Sequence, residues 1–259
     1  MDILIDKVGA TVSGAGAPLF LFHSLLSDRA SFDRIVPTLA RQFEVVVPDL
    51  PGFGASAPLT GGLDAVADRM ASLVRNVAAG RPTVVLGNGY GGFVALQMAI
   101  RHVGITRQLI FADCGARFSE PGRQAFRNMA IAADKTGLES ISDVAMRRLF
   151  APAFQAANPD LLAERRAAFL RTDIATFRQA CLTLAALDLT GELHKVSAPA
   201  LVLVGEEDEA TPPTMSVELS EGLPNSQLVI LPGCAHVPQL QAPDLFLSAV
   251  SKVLALSSV

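Results

Sequence analysis

The sequence contains no tryptophan, and its only tyrosine is Tyr90. Its three cysteines, Cys114, Cys181 and Cys234, are far apart and do not have the spacing of metal ligands. An odd number of cysteines is typical of a reducing compartment, and we expect each of them to be a small core residue. The sequence therefore predicts no metal site and favours the cytoplasm.

Long apolar runs and clusters of basic residues are also missing. No apolar stretch is long enough to cross a bilayer, and the chain does not open with a basic segment followed by an apolar one. The formal net charge is -4, which argues against a nucleic-acid partner. Of the 259 residues, 50% are hydrophobic and 18% are charged, as in ordinary globular domains. We expect a small molecule as the partner, and the sequence leaves a homodimer open.

Short apolar runs alternate with helical patterns over most of the chain, which predicts an α/β fold with a mostly parallel sheet and helices on both faces. The predicted strands are Leu19–Phe22, Phe43–Val47, Thr83–Leu86, Gln108–Ala112, Leu201–Val204 and Gln227–Leu231, with a candidate edge strand at Ile3–Val8. The helices predicted beside them are Ala30–Arg41, Leu63–Ala78, Phe93–His102 and Pro243–Leu256.

The pattern becomes helical throughout between the strands that end at Ala112 and begin at Leu201. The predicted helices there are Glu120–Lys135, Leu138–Leu149, Pro159–Arg171 and Ile174–Leu187. We therefore predict a core of residues 1–116 and 188–259 with an inserted helical cap of residues 117–187. A cap over the carboxyl ends of the strands would close an apolar pocket.

The stretch Val84–Gly92 runs from an apolar strand into a glycine-rich corner and then into a helix. That is the setting of a nucleophile elbow, G-x-S-x-G, whose central serine attacks the substrate. The central residue here is Gly89, which has no side chain that could attack. The glycines superficially resemble a G-x-G-x-x-G dinucleotide-binding loop, but no second βαβ half with a ribose-binding acid follows them, so the sequence implies no organic cofactor.

Four further loops follow predicted strands: FHSLL at 22–26, PDLPGFGAS at 48–56, GEEDEATPP at 205–213 and GCAHVPQL at 233–240. Together with the elbow, and in this order, they resemble the α/β-hydrolase superfamily over nearly the whole chain. The chain looks most like capped members that act on small molecules, such as enol-lactonases, carboxylesterases and carbon–carbon bond hydrolases. The resemblance implies an α/β-hydrolase fold, no cofactor, and a small, apolar, carbonyl-bearing substrate.

The resemblance also implies roles for individual residues. It puts Gly89 at the nucleophile position, Asp208 at the position of the acid and His236 at that of the base. The backbone N–H groups of Leu25 and Tyr90 would form the oxyanion hole, which a glycine at the elbow leaves intact.

Several neighbouring polar residues have weaker claims to a role. We expect His23, Ser24 and Asn88 at the pocket, with His23 supporting the oxyanion loop and Ser24 on the wrong loop to point at His236. Asp113, at the end of its strand, is a rival acid. The remaining candidates have structural or solvent-exposed interpretations: Asp49 braces a turn, and Glu206, Glu207, Glu209, His102 and His194 lie at the surface or at helix ends.

A glycine at the nucleophile position leaves several functions open. A water held beside Gly89 could attack directly with His236 as general base. The same histidine could instead move a proton next to a carbonyl, giving isomerase or lyase chemistry. A third alternative is a protein that binds a small apolar ligand without converting it, and the glycine is also compatible with a deliberate Ser-to-Gly substitution.

Overall fold

Eight strands form one sheet in the computed structural model of the chain, which describes residues 1–256. The strands are β1 (Asp2–Ile5), β2 (Val8–Ser13), β3 (Ala17–Phe22), β4 (Phe43–Pro48), β5 (Val84–Asn88), β6 (Gln108–Ala112), β7 (Ala200–Gly205) and β8 (Ser226–Leu231). Their order across the sheet is β1-β2-β4-β3-β5-β6-β7-β8. The pairs β1–β2 and β2–β4 are antiparallel, and every other pair is parallel. The predicted fold class is confirmed.

Helices cover both faces of this sheet. They are α1 (Val36–Leu39), α2 (Gly62–Ala78), α3 (Tyr90–Arg101), α4 (Glu120–Thr136), α5 (Glu139–Leu149), α6 (Pro152–Ala157), α7 (Pro159–Leu170), α8 (Ile174–Ala186), α9 (Pro213–Gly222), α10 (Pro238–Gln241) and α11 (Pro243–Leu254). Side chains of β3 alternate between the faces: Phe20 and Phe22 belong to the apolar cluster that includes α2 and α3, whereas Leu19 and Leu21 belong to the cluster that includes α11. Because both faces are covered, the central strands are apolar on both sides.

Two predicted elements are wrong in detail. The edge strand predicted at Ile3–Val8 is a hairpin, in which β1 and β2 are joined through Asp6 and Lys7. Both turn residues have positive φ, of 50° and 65°, and Asp-Lys is not a strong signal for such a turn. The helix predicted at Ala30–Arg41 is a 3₁₀ turn followed by α1, because Pro37 removes a backbone donor and interrupts the helix.

Helices α4 to α8 lie in the chain between β6 and β7. Arg117 and Asp188 form an isolated antiparallel bridge, so the two ends of this insertion leave the sheet side by side. On α7, the buried Arg165 forms a 2.9 Å ion pair with Asp28 in the loop after β3. Ala151, just before α6, donates its N–H to Gln241 at 3.2 Å. The insertion is thus tied to loops at the carboxyl edge of the sheet.

Candidate active site

Loops that follow β3, β5, β7 and β8 meet at the carboxyl edge of the sheet. Parallel strands end at the same edge, so residues far apart in sequence come together there. The structure brings together Ser24, Gly89, Asp208 and His236. The polar side chains of this group are nearly fully buried, with exposures of 1% for Ser24, 3% for Asp208 and 4% for His236.

Asp208 orients the imidazole of His236. The Nδ1–H of His236 donates to Oδ2 of Asp208 at 2.9 Å, and the Thr211 hydroxyl donates to the same oxygen at 2.7 Å. Burial alone would raise the pKa of the Asp208 carboxyl, but the His236 imidazole and hydrogen bonds from His236 and Thr211 lower this pKa below its ordinary value. The carboxylate is therefore ionised and holds the proton of His236 on Nδ1, leaving the Nε2 lone pair free to accept.

The hydroxyl of Ser24 lies on the other side of the imidazole. Its Oγ is 3.0 Å from Nε2 of His236, so the expectation that Ser24 cannot face His236 is wrong. The reason is strand register: Phe22 of β3 pairs with Gly87 of β5, which places Ser24 beside Gly89, two residues beyond each paired position. A Cβ at Gly89 would lie 2.6 Å from Nε2 of His236 and closer still to the Ser24 hydroxyl.

His23 fixes the loop that carries Ser24. Its Nδ1–H donates to the carbonyl of Ser24 at 2.9 Å, and its Nε2 accepts the N–H of Leu50 at 3.0 Å. The acceptor role of Nε2 requires the neutral ring, and burial lowers the pKa of His23. Gly91 at the start of α3 donates its N–H to the carbonyl of His23 at 3.0 Å. The loop is thus attached to its neighbours on two sides.

Asn88 holds the backbone of His236. Its Nδ2–H donates to the carbonyl of His236 at 2.8 Å, and its Oδ1 accepts from Gln239 at 3.0 Å. The sequence predicts His23 and Asn88 at the pocket, but both are fully buried and neither lines it; their side chains bond to backbone groups and, for Asn88, also to Gln239. Thr211 and Gln239 were missed from the sequence, although a threonine three residues after Asp208 is typical of a side-chain turn.

A narrow apolar cavity opens in front of Ser24 and His236. It has a volume of about 30 Å³, which is room for roughly two water molecules. Its lining residues besides these two are Leu25, Leu26, Gly89, Tyr90, Phe93, Phe118, Phe126, Met129, Arg148, Leu184, Ala210 and Thr211. Arg148 on α5 is the charged member of this lining, and no sequence pattern predicted it.

Leu25 and Tyr90, two of the residues that line this cavity, have backbone N–H groups that are open to a ligand. Tyr90 is the first residue of α3, and Leu25 directly follows Ser24. Within residues 1–256, neither N–H donates a hydrogen bond to the protein, so both can bind an oxygen that gains negative charge. The positive end of the α3 dipole adds to this stabilisation.

A model of the Alpha/beta hydrolase family matches residues 12–249 of the sequence. The chain belongs to the alpha/beta hydrolase family. It is 27% identical to a pimeloyl-[acyl-carrier protein] methyl ester esterase of Nitrosomonas europaea, over 91% of this chain and 95% of that protein. It is 25% identical to 3-oxoadipate enol-lactonase 2 of Acinetobacter baylyi, over 95% and 91% of the two chains. A thermophilic esterase from Thermogutta terrifontis superposes with a TM-score of 0.88 at 27% identity, covering 98% of each chain.

The described part of this alpha/beta hydrolase, residues 1–256, contains no cluster of three or more histidine, cysteine or acidic side chains arranged to hold a metal ion. Over the same range, no helix combines the length and apolarity needed to span a bilayer.

Asp113 of this alpha/beta hydrolase lies next to Asp208 but is not the partner of His236. Its Oδ1 accepts the N–H of Gly205 at 2.8 Å, and its backbone has a strained φ of 53°. Burial and the negative charge of Asp208 raise the pKa of the Asp113 carboxyl well above its ordinary value. We therefore expect Asp113 to be a neutral acid that supports Asp208.

The buried Asp113 should make the stability of the protein depend on pH. The folded alpha/beta hydrolase keeps the Asp113 proton at pH values where the unfolded chain has lost it, so the contribution of this one group to stability falls as pH rises above the ordinary carboxyl pKa of 3.8. Asp113→Asn, which mimics the neutral acid, should flatten this decline and raise the Tm at pH 8. The gain should be about 2–4 °C for each kcal/mol of penalty removed. Thermal unfolding at pH 6, 7 and 8 measures it, and a variant that is less stable than wild type at pH 8 contradicts it.

Proposed function

We propose that this alpha/beta hydrolase cleaves a small, mainly apolar carboxylic ester or lactone, with His236 as general base. One observation carries the proposal: a buried imidazole, oriented by Asp208, presents Nε2 as a hydrogen-bond acceptor beside an apolar cavity, with the Ser24 hydroxyl at 3.0 Å from it. The N–H groups of Leu25 and Tyr90 border that cavity and suit the oxyanion of acyl transfer. The names of the relatives, a methyl ester esterase and an enol-lactonase, point to the same bond type.

The proposed chemistry requires only that an oxygen nucleophile lies next to His236. Nε2 takes its proton as the oxygen attacks the carbonyl, and the imidazolium then protonates the leaving alkoxide. A positioned base of this kind contributes about 10²–10⁴-fold, and an oxyanion donor about 10²–10³-fold. The nucleophile is either water in the cavity or a side chain, and the proposal holds for both.

A cavity of about 30 Å³ is too small for an ester, so we infer that the cap moves when substrate binds. The lining residues contributed by helices of the insertion are Phe126, Met129, Arg148 and Leu184. Shifting α4 and α8 away from the sheet would enlarge the cavity without disturbing His236. Lids of this type exclude water once they close over the substrate.

Arg148 leads us to propose an acyl group that ends in a carboxylate. Its side chain borders an otherwise apolar lining, and within residues 1–256 no acidic side chain forms an ion pair with it. We expect wild type to prefer monomethyl adipate to methyl hexanoate. Arg148→Met should raise KM for the half-ester by about 10–100-fold, the range of a charged hydrogen bond, and leave KM for the neutral ester unchanged. Steady-state kinetics measures this.

Arg147→Met is the matched control, because Arg147 is an exposed neighbour on the same helix that does not line the cavity. It should behave as wild type with both esters. Equal effects of Arg148→Met on the charged and the neutral ester would contradict the assignment of a carboxylate.

The proposed function itself is tested by titrating acid release from purified protein with a panel of methyl esters and five- and six-membered lactones. Turnover that disappears in His236→Ala supports it. Conversion of a carbonyl compound without acid release would instead indicate isomerase or lyase chemistry. No turnover of any ester or lactone would overturn the proposal.

A further inference from the structure

We propose that Ser24 is the nucleophile of this enzyme, and that the attacking hydroxyl has moved from the elbow to the neighbouring loop. The inference rests on the proposed hydrolytic function and goes beyond it by naming the attacking atom. It replaces direct attack by water with a covalent acyl-enzyme.

Ser24 is in hydrogen-bond contact with the proposed base, His236. Ser24 Oγ lies 3.0 Å from Nε2 of His236, which is the distance expected between a nucleophile and its base. Because Nδ1 of His236 donates to Asp208, Nε2 is an acceptor and the Ser24 hydroxyl is the donor. Ser24, His236 and Asp208 thus form the hydrogen-bond chain that activates a serine.

The Ser24 side chain occupies the space that a side chain at residue 89 would need. A Cβ at Gly89 would lie 3.0 Å from Cβ of Ser24, and still closer to its Oγ. A serine at the elbow and the observed position of Ser24 are therefore mutually exclusive. Gly89 is the residue that this arrangement needs, since glycine leaves the space to the Ser24 hydroxyl.

The loop that carries Ser24 is held in place, and the backbone of Ser24 is not strained. Gly89 has a φ of 53° and a ψ of -118°, a conformation that disfavours residues with a Cβ, whereas Ser24 does not have a positive φ. His23 and Gly91 hold the loop through the contacts already described. Ser24 is thus preorganised, as an attacking group must be.

The proposed reaction needs only these residues, the substrate and water. Ser24 Oγ bonds to the carbonyl carbon while its proton passes to Nε2 of His236, and Leu25 and Tyr90 donate to the oxyanion. The intermediate collapses, the bond to the leaving oxygen breaks, and His236 returns the proton to that oxygen. Water then attacks the Ser24 ester with His236 as base, which releases the carboxylic acid and restores the hydroxyl.

Labelling with a small alkyl fluorophosphonate tests the assignment directly. Attack by Ser24 would form an Oγ–P bond and expel fluoride. We expect one adduct per chain, located by mass spectrometry in the peptide that contains residue 24, and no adduct in Ser24→Ala. Ser24→Ala should also lower kcat for ester hydrolysis by at least about 10³-fold. Ser27→Ala, which removes another buried hydroxyl of the same loop, should react and label like wild type.

Ser24→Cys tests the assignment without depending on Ser24→Ala, which could lose activity by misfolding. The variant keeps a nucleophile at residue 24. A thiol beside His236 should be alkylated by iodoacetamide at least ten times faster than the native cysteines. Those three are buried, and burial raises the pKa of Cys181 to about 12 and that of Cys234 to about 11. Slow alkylation of folded Ser24→Cys would count against an activated residue 24.

The outcomes separate this inference from the proposed function. If wild type hydrolyses esters and folded Ser24→Ala keeps its kcat within tenfold, the function stands and Ser24 is not the nucleophile. If wild type hydrolyses no ester but fluorophosphonate labels Ser24, the function fails while the nucleophile is supported. The absence of both hydrolysis and adduct overturns both.

Discussion

His236→Ala is expected to lower kcat for ester hydrolysis by about 10⁴–10⁶-fold, because the variant removes the group that accepts the proton from the nucleophile. A water-based mechanism would lose only about 10²–10⁴-fold, the value of a general base alone. The size of the loss therefore distinguishes the two nucleophiles as well as testing the role of His236. Steady-state kinetics with thermal unfolding as a check on folding measures it.

Asp208→Asn should cost about 10⁴-fold in kcat through a different cause. An amide nitrogen at this position would donate to Nδ1 of His236 and force the proton onto Nε2, where the ring can no longer accept from Ser24.

His194→Ala is the control for His236→Ala, since His194 is an exposed histidine. If His236→Ala keeps more than one hundredth of wild-type kcat, the base lies elsewhere.

Gly89→Ser is expected to reduce activity, although it recreates the usual G-x-S-x-G elbow. The new Cβ would lie 2.6 Å from Nε2 of His236 and would displace the Ser24 hydroxyl. Overpacking of this kind costs about 1–3 kcal/mol, and the positive φ adds a similar strain. We expect a lower Tm. We also expect kcat to fall by at least about 10²-fold, because the hydroxyls at residues 24 and 89 would obstruct each other at His236.

The exchange variant Ser24→Gly with Gly89→Ser should recover much of this loss, because it removes the competing side chain. The two substitutions should be strongly non-additive, with kcat of the double variant at least tenfold above either single variant. Fluorophosphonate should then label residue 89. A Gly89→Ser single variant that is faster than wild type and labelled at residue 89 would show that Ser24 only fills space.

The sequence predicted the features that depend on local pattern. Apolar runs indicated the strands from β3 to β8, and loop motifs placed Asp208 and His236 at one edge of the sheet. Direction and register of side chains were not predictable in the same way. That Ser24 points at His236 follows from the pairing of Phe22 with Gly87, which no pattern within one segment reveals. The same limit explains His23 and Asn88, whose side chains bond to backbone from other loops.

The positions of side chains in the insertion between β6 and β7 could not be predicted from the sequence either. Arg148 occurs in a helical pattern rich in charge, beside the exposed Arg147, and only the fold shows which of the two faces the cavity. Asp113 and Asp208 each follow a strand with similar patterning, so the choice between them required the observed hydrogen bond to His236.

The two bonds of His23 make the stability of the Ser24 loop depend on pH. Protonation of Nε2 would abolish its bond from Leu50 and place an uncompensated charge in the interior. Because the pKa of His23 is below its ordinary value of 6.5, the unfolded chain binds this proton more readily, and acid below about pH 6.5 favours release of the loop. Acidification would thus loosen the support of the loop that carries the Ser24 hydroxyl.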